Sequence, residues 1–205
     1  MPPGWMEQFS RHQYRVYEYG SEEESSLKLS KRTPPLAYYL VLREYSVLMY
    51  PYFLWAAMET NFVLPKHIDE HPVIQRLLAL GCRLIAWQND FHSLRKEIGL
   101  ASEVFNLILV VQNEYNISLE EACAEAKRIH DADVTEFVAL HETLPDFGIY
   151  QQQVYDYVTS MGTAIQGVNS HCLIDTSRYA FGGSGFAWPE AEIAKEYRSE
   201  YFKPE

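Results

Sequence analysis

Residues 71–99 read HPVIQRLLALGCRLIAWQNDFHSLRKEIG, and the fold turns on this stretch. Pro72 suits the first turn of a helix, where its missing N–H would have had no partner, and Gly99 suits the end. Leu77-Leu78-Ala79-Leu80 and Leu84-Ile85-Ala86-Trp87 form apolar turns, followed directly by the polar run Asn89-Asp90-Phe91-His92-Ser93-Leu94-Arg95-Lys96-Glu97. The spacing predicts one long helix from about His71-Pro72 to about Gly99. On it Ile85 falls about 40° from Asn89, so an apolar stripe continues into a polar one.

Working outward, the pattern stays helical. Residues 5–19 have helical spacing, with Gly20-Ser21 as a stop and Ser21-Glu22-Glu23-Glu24 as an N-cap with an acidic first turn. Pro34-Pro35 opens a segment running through Arg43, and Pro51 is expected to kink or divide it. Ser102 to Tyr115 is apolar enough for a buried strand or a helix; its helical neighbours favour helix. Ser118-Leu119-Glu120-Glu121 is a capping-box signature opening a helix to about Leu144-Pro145. A further helix covers Tyr150 to about Ser170, and residues 181–205, with Gly182-Gly183-Ser184-Gly185, read as loop and tail. The expectation is an all-α single domain over residues 1–205.

Composition narrows the function classes. The chain has 205 residues, 28 Asp and Glu against 17 Lys and Arg, and a formal net charge of −11. An acidic chain is a poor partner for nucleic acid or an anionic membrane surface, both of which call for clustered Lys and Arg. The longest apolar run, Tyr45 to Met58, contains Ser46 and Pro51 and is too short to span a bilayer. Three widely spaced cysteines, Cys82, Cys123 and Cys172, form no C-x-x-C pair, which suits reduced thiols and a cytoplasmic location. Fifteen Tyr, ten Phe and four Trp supply either core bulk or a cavity lining.

The chemistry lies in the polar run. At about 100° per residue, Asn89, Ser93 and Glu97 share a stripe roughly 80° wide. An amide carbonyl, a hydroxyl and a carboxylate are oxygen ligands suited to a hard divalent cation such as Mg²⁺. They bring one negative charge between them, so a phosphate-bearing substrate would be needed to complete a tight shell. Lys96, about 20° from Asn89, is placed to meet that phosphate, while Asp90 points about 100° away and suits a supporting role. Spacing alone leaves a solvated polar face open as well; the apolar stripe leading into the trio favours the ligand reading.

These residues resemble a known family. Asn89 to Glu97 matches the N-D-x-x-S-x-x-x-E metal-binding motif of class I terpene synthases, including the Lys before the Glu. Asp175-Thr176-Ser177-Arg178-Tyr179 looks like the Arg-Tyr pair near the end of microbial members, and Arg43 sits where the family places its diphosphate-sensing Arg. The resemblance runs from about Trp5 to Trp188. It implies a class I terpenoid synthase-like helical bundle that ionises and cyclises an allylic prenyl diphosphate, farnesyl diphosphate to a sesquiterpene, and releases diphosphate. Asn89, Ser93 and Glu97 would hold Mg²⁺; Arg43, Lys96, Arg178 and Tyr179 would contact the diphosphate. Tyr52, Phe53 and Trp55 are candidate pocket walls, with ordinary core packing as their other reading.

The chain also departs from the family. An aspartate-rich second metal motif on an earlier helix is absent from the sequence, and the N-terminal helices that would carry it are expected upstream of Met1. Cys172 stands where many microbial members have a Trp. The alternative reading is therefore a truncated or non-catalytic fragment needing that segment, a homodimer or a complementing subunit.

Overall fold

The computed structural model describes residues 4–98 and 104–176, and among them it is helical throughout, with no strand. Ten α-helices follow in order: α1 (Trp5–Val16), α2 (Glu22–Ser30), α3 (Leu36–Ser46), α4 (Met49–Phe53), α5 (Ala56–Glu59), α6 (Lys66–Asp69), α7 (Pro72–Ile98), α8 (Leu107–Tyr115), α9 (Leu119–Glu142) and α10 (Gln151–Ser170). No helix among the described residues is long and apolar enough to cross a membrane.

The helix α7 is the axis. Every residue from Leu77 to Trp87 except Arg83 is buried, as expected of a helix that is apolar on all sides. One core cluster joins it to α1, α4 and α10 through Trp5, Phe53, Leu77, Tyr157 and Met161. A second joins it to α3, α8 and α9 through Tyr39, Trp87, Val110 and Ala122. Each large side chain so buried contributes roughly 1.5–3 kcal/mol. A Cβ on Gly81 would lie 2.8 Å from the Phe53 ring, so α4 approaches α7 where that side chain is missing. The helix α9 is fixed by polar contacts as well. Asp133 accepts from the Trp87 indole at 2.8 Å and pairs with Arg83 at 3.0 Å.

Local chemistry explains most boundaries. Ser118 caps α9 by accepting from the Glu121 backbone N–H, and Glu121 reaches back to the Ser118 N–H at 2.9 Å. The division around Pro51 falls ahead of the proline. Its ring would clash with the carbonyl of Val47 in a continuous helix, and the chain breaks at Leu48, which takes a left-handed conformation (φ 66°). Pro51 itself then sits in the short helix α4.

Two expectations are corrected. Gly20-Ser21 is not a stop: α1 passes through a π-helical turn, Tyr17–Ser21, straight into α2. Ser21 is helical and makes no side-chain cap. Gly20 is buried because a Cβ there would meet the Ser46 backbone nitrogen at 2.8 Å, so it serves close helix approach instead. The helix expected from Ser102 begins at Leu107, since Asn106 is extended and caps it. The expected tail, residues 181–205, lies outside the described residues.

Candidate metal and diphosphate site

The C-terminal third of α7 carries the predicted oxygen trio, and three elements meet there. Asp90 is fully buried and is the hub. Its carboxylate accepts from the Tyr39 hydroxyl, from Arg43 Nε at 3.1 Å and Nη2 at 2.7 Å, and from the Leu107 backbone N–H at 2.9 Å. One Asp thus joins α3, α7 and α8. Burial opposes the Arg43 charge, but Asp90 beside it outweighs that and raises the guanidinium pKa, so Arg43 stays cationic. Burial and the Asp90 charge both push the Tyr39 phenol well above its ordinary value, so it remains a donor.

The trio surrounds this hub. Asn89 Oδ1 accepts from Arg43 Nη2 at 3.0 Å, so the guanidinium bridges Asn89 and the hub. Glu97 Oε2 accepts from Asn106 Nδ2 at 2.7 Å. Ser93 is 1% exposed, and its hydroxyl has no hydrogen-bond partner among the described residues. An unsatisfied buried hydroxyl costs about 1–3 kcal/mol. With three oxygen donor types on one stripe and an orphaned hydroxyl between the other two, the residues fit a hard divalent cation. Asn89, Ser93 and Glu97 are the groups that would hold it.

The other predicted residues are distributed differently. Lys96 is half-buried, one position before Glu97 on α7. Phe53 is core, packed against Gly81, whereas Tyr52 and Trp55 meet as a tilted ring pair and are more than half exposed. A largely apolar groove of about 730 Å³ runs between α7, α9 and α10, with Phe91, Phe137 and Ile165 in its lining; Tyr52, Phe53 and Trp55 do not line it. Arg178 and Tyr179 lie outside the described residues. Among the described residues no group of three His, Cys, Asp or Glu side chains could hold a metal ion. The sequence reading missed Asn106 and Tyr39. An Asn directly before Leu-Ile-Leu-Val-Val was the available signal for the first, as an N-cap; nothing local marks the second.

Comparison with known proteins bears on this arrangement. A family model described as terpene synthase family 2, C-terminal metal binding, matches residues 1–136. The 10-epi-cubebol synthase of Sorangium cellulosum is 32% identical over 71% of this chain and 46% of its own length. The (+)-T-muurolol synthase of Roseiflexus castenholzii, named as cyclising (2E,6E)-farnesyl diphosphate, is 31% identical over 87% of this chain and 54% of its own length. The chain therefore spans about half the length of the curated relatives it matches. In fold it is similar to the 2-methylisoborneol synthase of Streptomyces coelicolor, solved in complex with Mg²⁺ and 2-fluoroneryl diphosphate. The TM-score is 0.75 at 18% identity, covering 88% of this chain and 55% of that one.

Proposed function

The chain belongs to terpene synthase family 2, matching its C-terminal metal-binding region, and from that premise we propose that it binds Mg²⁺ and the diphosphate of an allylic prenyl substrate. The reaction is ionisation of the substrate, cyclisation of the carbocation and release of diphosphate, with farnesyl diphosphate as the substrate. The relatives named for farnesyl-derived chemistry support that choice. The observation that carries the reading is the buried Ser93 hydroxyl, without a partner among the described residues, between Asn89 and Glu97 on a stripe whose Asn89 meets the Arg43 guanidinium at 3.0 Å.

Bound Mg²⁺ would supply Lewis-acid stabilisation of the departing diphosphate. The chain's own groups divide the remaining work. Asn89, Ser93 and Glu97 present oxygen. Arg43 supplies a fixed positive charge at the same end of α7, useful where negative charge grows on a leaving group. Lys96, Arg178 and Tyr179 are assigned to the diphosphate by their place in the motifs. A carbocation needs a dry, π-rich surface; Phe91 and Phe137, which line the apolar groove, are the aromatic groups proposed for it, in place of the core residue Phe53 and the exposed Tyr52 and Trp55.

A second reading is a half-site completed by another segment or chain bearing the aspartate-rich motif. It is favoured by the trio's single negative charge, too little to retain Mg²⁺ tightly by itself. Incubation of the purified chain with farnesyl diphosphate and Mg²⁺, followed by analysis of volatile hydrocarbons, separates the two. Product that is lost in the Asn89→Ala/Glu97→Ala double variant supports autonomous catalysis. Absence of product with retained Mg²⁺-dependent diphosphate binding supports the half-site, and absence of both rejects the metal assignment.

A further inference from the structure

We propose that Asn106 is a positioning residue for Glu97: its side-chain amide aims the carboxylate at the cation site and ties that aim to the start of α8. The inference rests on the metal reading of α7 given above. Asn106 is fully buried and extended (φ −144°, ψ 137°). Its Oδ1 accepts from the Ile108 backbone N–H at 2.9 Å, capping α8. Its Nδ2 donates to Glu97 Oε2 at 2.7 Å and to the Asp90 backbone carbonyl at 2.8 Å. Two donors and one acceptor are what a primary amide offers, and each has a partner.

The consequence for Glu97 is orientation. It stands in the last turn of α7, where a long side chain samples several rotamers unless something selects one. Donation to Oε2 makes that selection. The next residue, Leu107, donates its backbone N–H to the Asp90 carboxylate, so the start of α8 grips α7 at Asp90 and Glu97 together. Ser93 lies between those two grips. The half-turn before α8 is thus a buttress for the oxygen stripe.

The role is separable from simple capping, because an Asp at this position keeps an N-cap acceptor and loses the N–H donors. Asn106→Asp also sets a second carboxylate against Glu97. We expect Asn106→Asp to lower the melting temperature of the metal-free chain by at least about 5 °C. Adding Glu97→Gln should recover most of that loss, since the Gln amide then donates to Asp in the reverse sense. Melting effects of the two substitutions that merely add, with no recovery in the double variant, overturn the pairing.

Orientation toward the cation has its own readout. Mn²⁺ added alone and followed by electron paramagnetic resonance should bind native chain, and bind Asn106→Asp about tenfold or more weakly, the range for a partner that orients a metal ligand. Native-like Mn²⁺ affinity in Asn106→Asp overturns the positioning role while leaving the metal reading intact. Failure of native chain to bind Mn²⁺, with or without pyrophosphate, overturns the metal reading; the melting cycle then still decides whether Asn106 governs the Glu97 carboxylate.

Discussion

Near each end of α7 a buried aspartate, Asp90 of α7 at one and Asp69 of α6 at the other, pairs with an arginine from an earlier helix, and the pairs are built differently. At the C-terminal end Asp90 is met by three donating groups on two other elements, and its partner Arg43 is itself buried. At the N-terminal end Asp69, in α6, pairs with Arg11, whose side chain is 37% exposed. Burial pushes the Asp69 carboxyl up, against the pull of Arg11, and the neighbouring His12 ring is pushed down to about 4 by burial and by Arg11 and Arg15. Several donors hold one carboxylate in a single arrangement at the first end; at the second, burial with fewer partners leaves Asp69 and His12 with shifted protonation. The first end is suited to presenting oxygen and positive charge in one arrangement, and the second makes stability respond to acid.

The largest expected effect breaks the better-satisfied pair. Asp90→Ala leaves Arg43 buried without its counter-charge and strips partners from Tyr39 and Leu107, so a loss of about 3–5 kcal/mol is expected in urea unfolding. A loss below about 1 kcal/mol would show that the two pairs are equivalent. Next comes acid. Both states hold a neutral His12 above about pH 6.5, so its contribution is fully present there. As pH falls from about 6.5 to about 4 the unfolded chain binds the proton and the folded chain does not. That loss is on the order of 3 kcal/mol at most.

His12→Phe keeps a ring against Tyr50 and should flatten this acid slope, as read from melting temperature against pH. A slope unchanged by the substitution would assign acid sensitivity elsewhere. Asp69 and Glu44, both raised by burial, act in the opposite sense: their contribution is lost as pH rises through their folded pKa. Asp69→Asn should cost about 1 kcal/mol, because Arg11 can turn toward water. Smallest of all, Glu24→Gln, which loosens a 3.9 Å contact to Arg43, should stay within about 0.5 kcal/mol. A larger shift would mean that Arg43 depends on Glu24 as well as on Asp90.

Patterns contained within one helix were legible in the sequence. Pro72, the apolar turns and the polar run marked one long helix starting at Pro72, its expected end at Gly99 lying outside the described residues, and Ser118 with Glu121 made the capping box that was expected. That Asn89, Ser93 and Glu97 share one stripe was equally readable, because spacing is a property of one helix. What stayed hidden depends on contacts between distant segments. Gly20 looks like a terminator, and only the backbone of Ser46 lying against it shows why a glycine is needed inside a helix. Asp90 gave a direction but no partners, since Tyr39 and Arg43 come from α3 and Leu107 from α8. Asn106 combined both difficulties: its capping role was local, and its hold on Glu97 was not.

The π-helical turn at Tyr17–Ser21 makes chain length count as much as residue identity. Such a turn is what a single-residue insertion into an α-helix produces. Removing one residue there would restore regular winding and rotate all of α2 by about 100° relative to α1. Arg11 and Glu24 lie on opposite sides of it, one paired with Asp69 and the other near Arg43. The turn acts as a phase adjuster between the acid-responsive end and the oxygen-bearing end. Substitutions in it other than at Gly20, where a Cβ would strike the Ser46 backbone, should be absorbed far more readily than insertions or deletions.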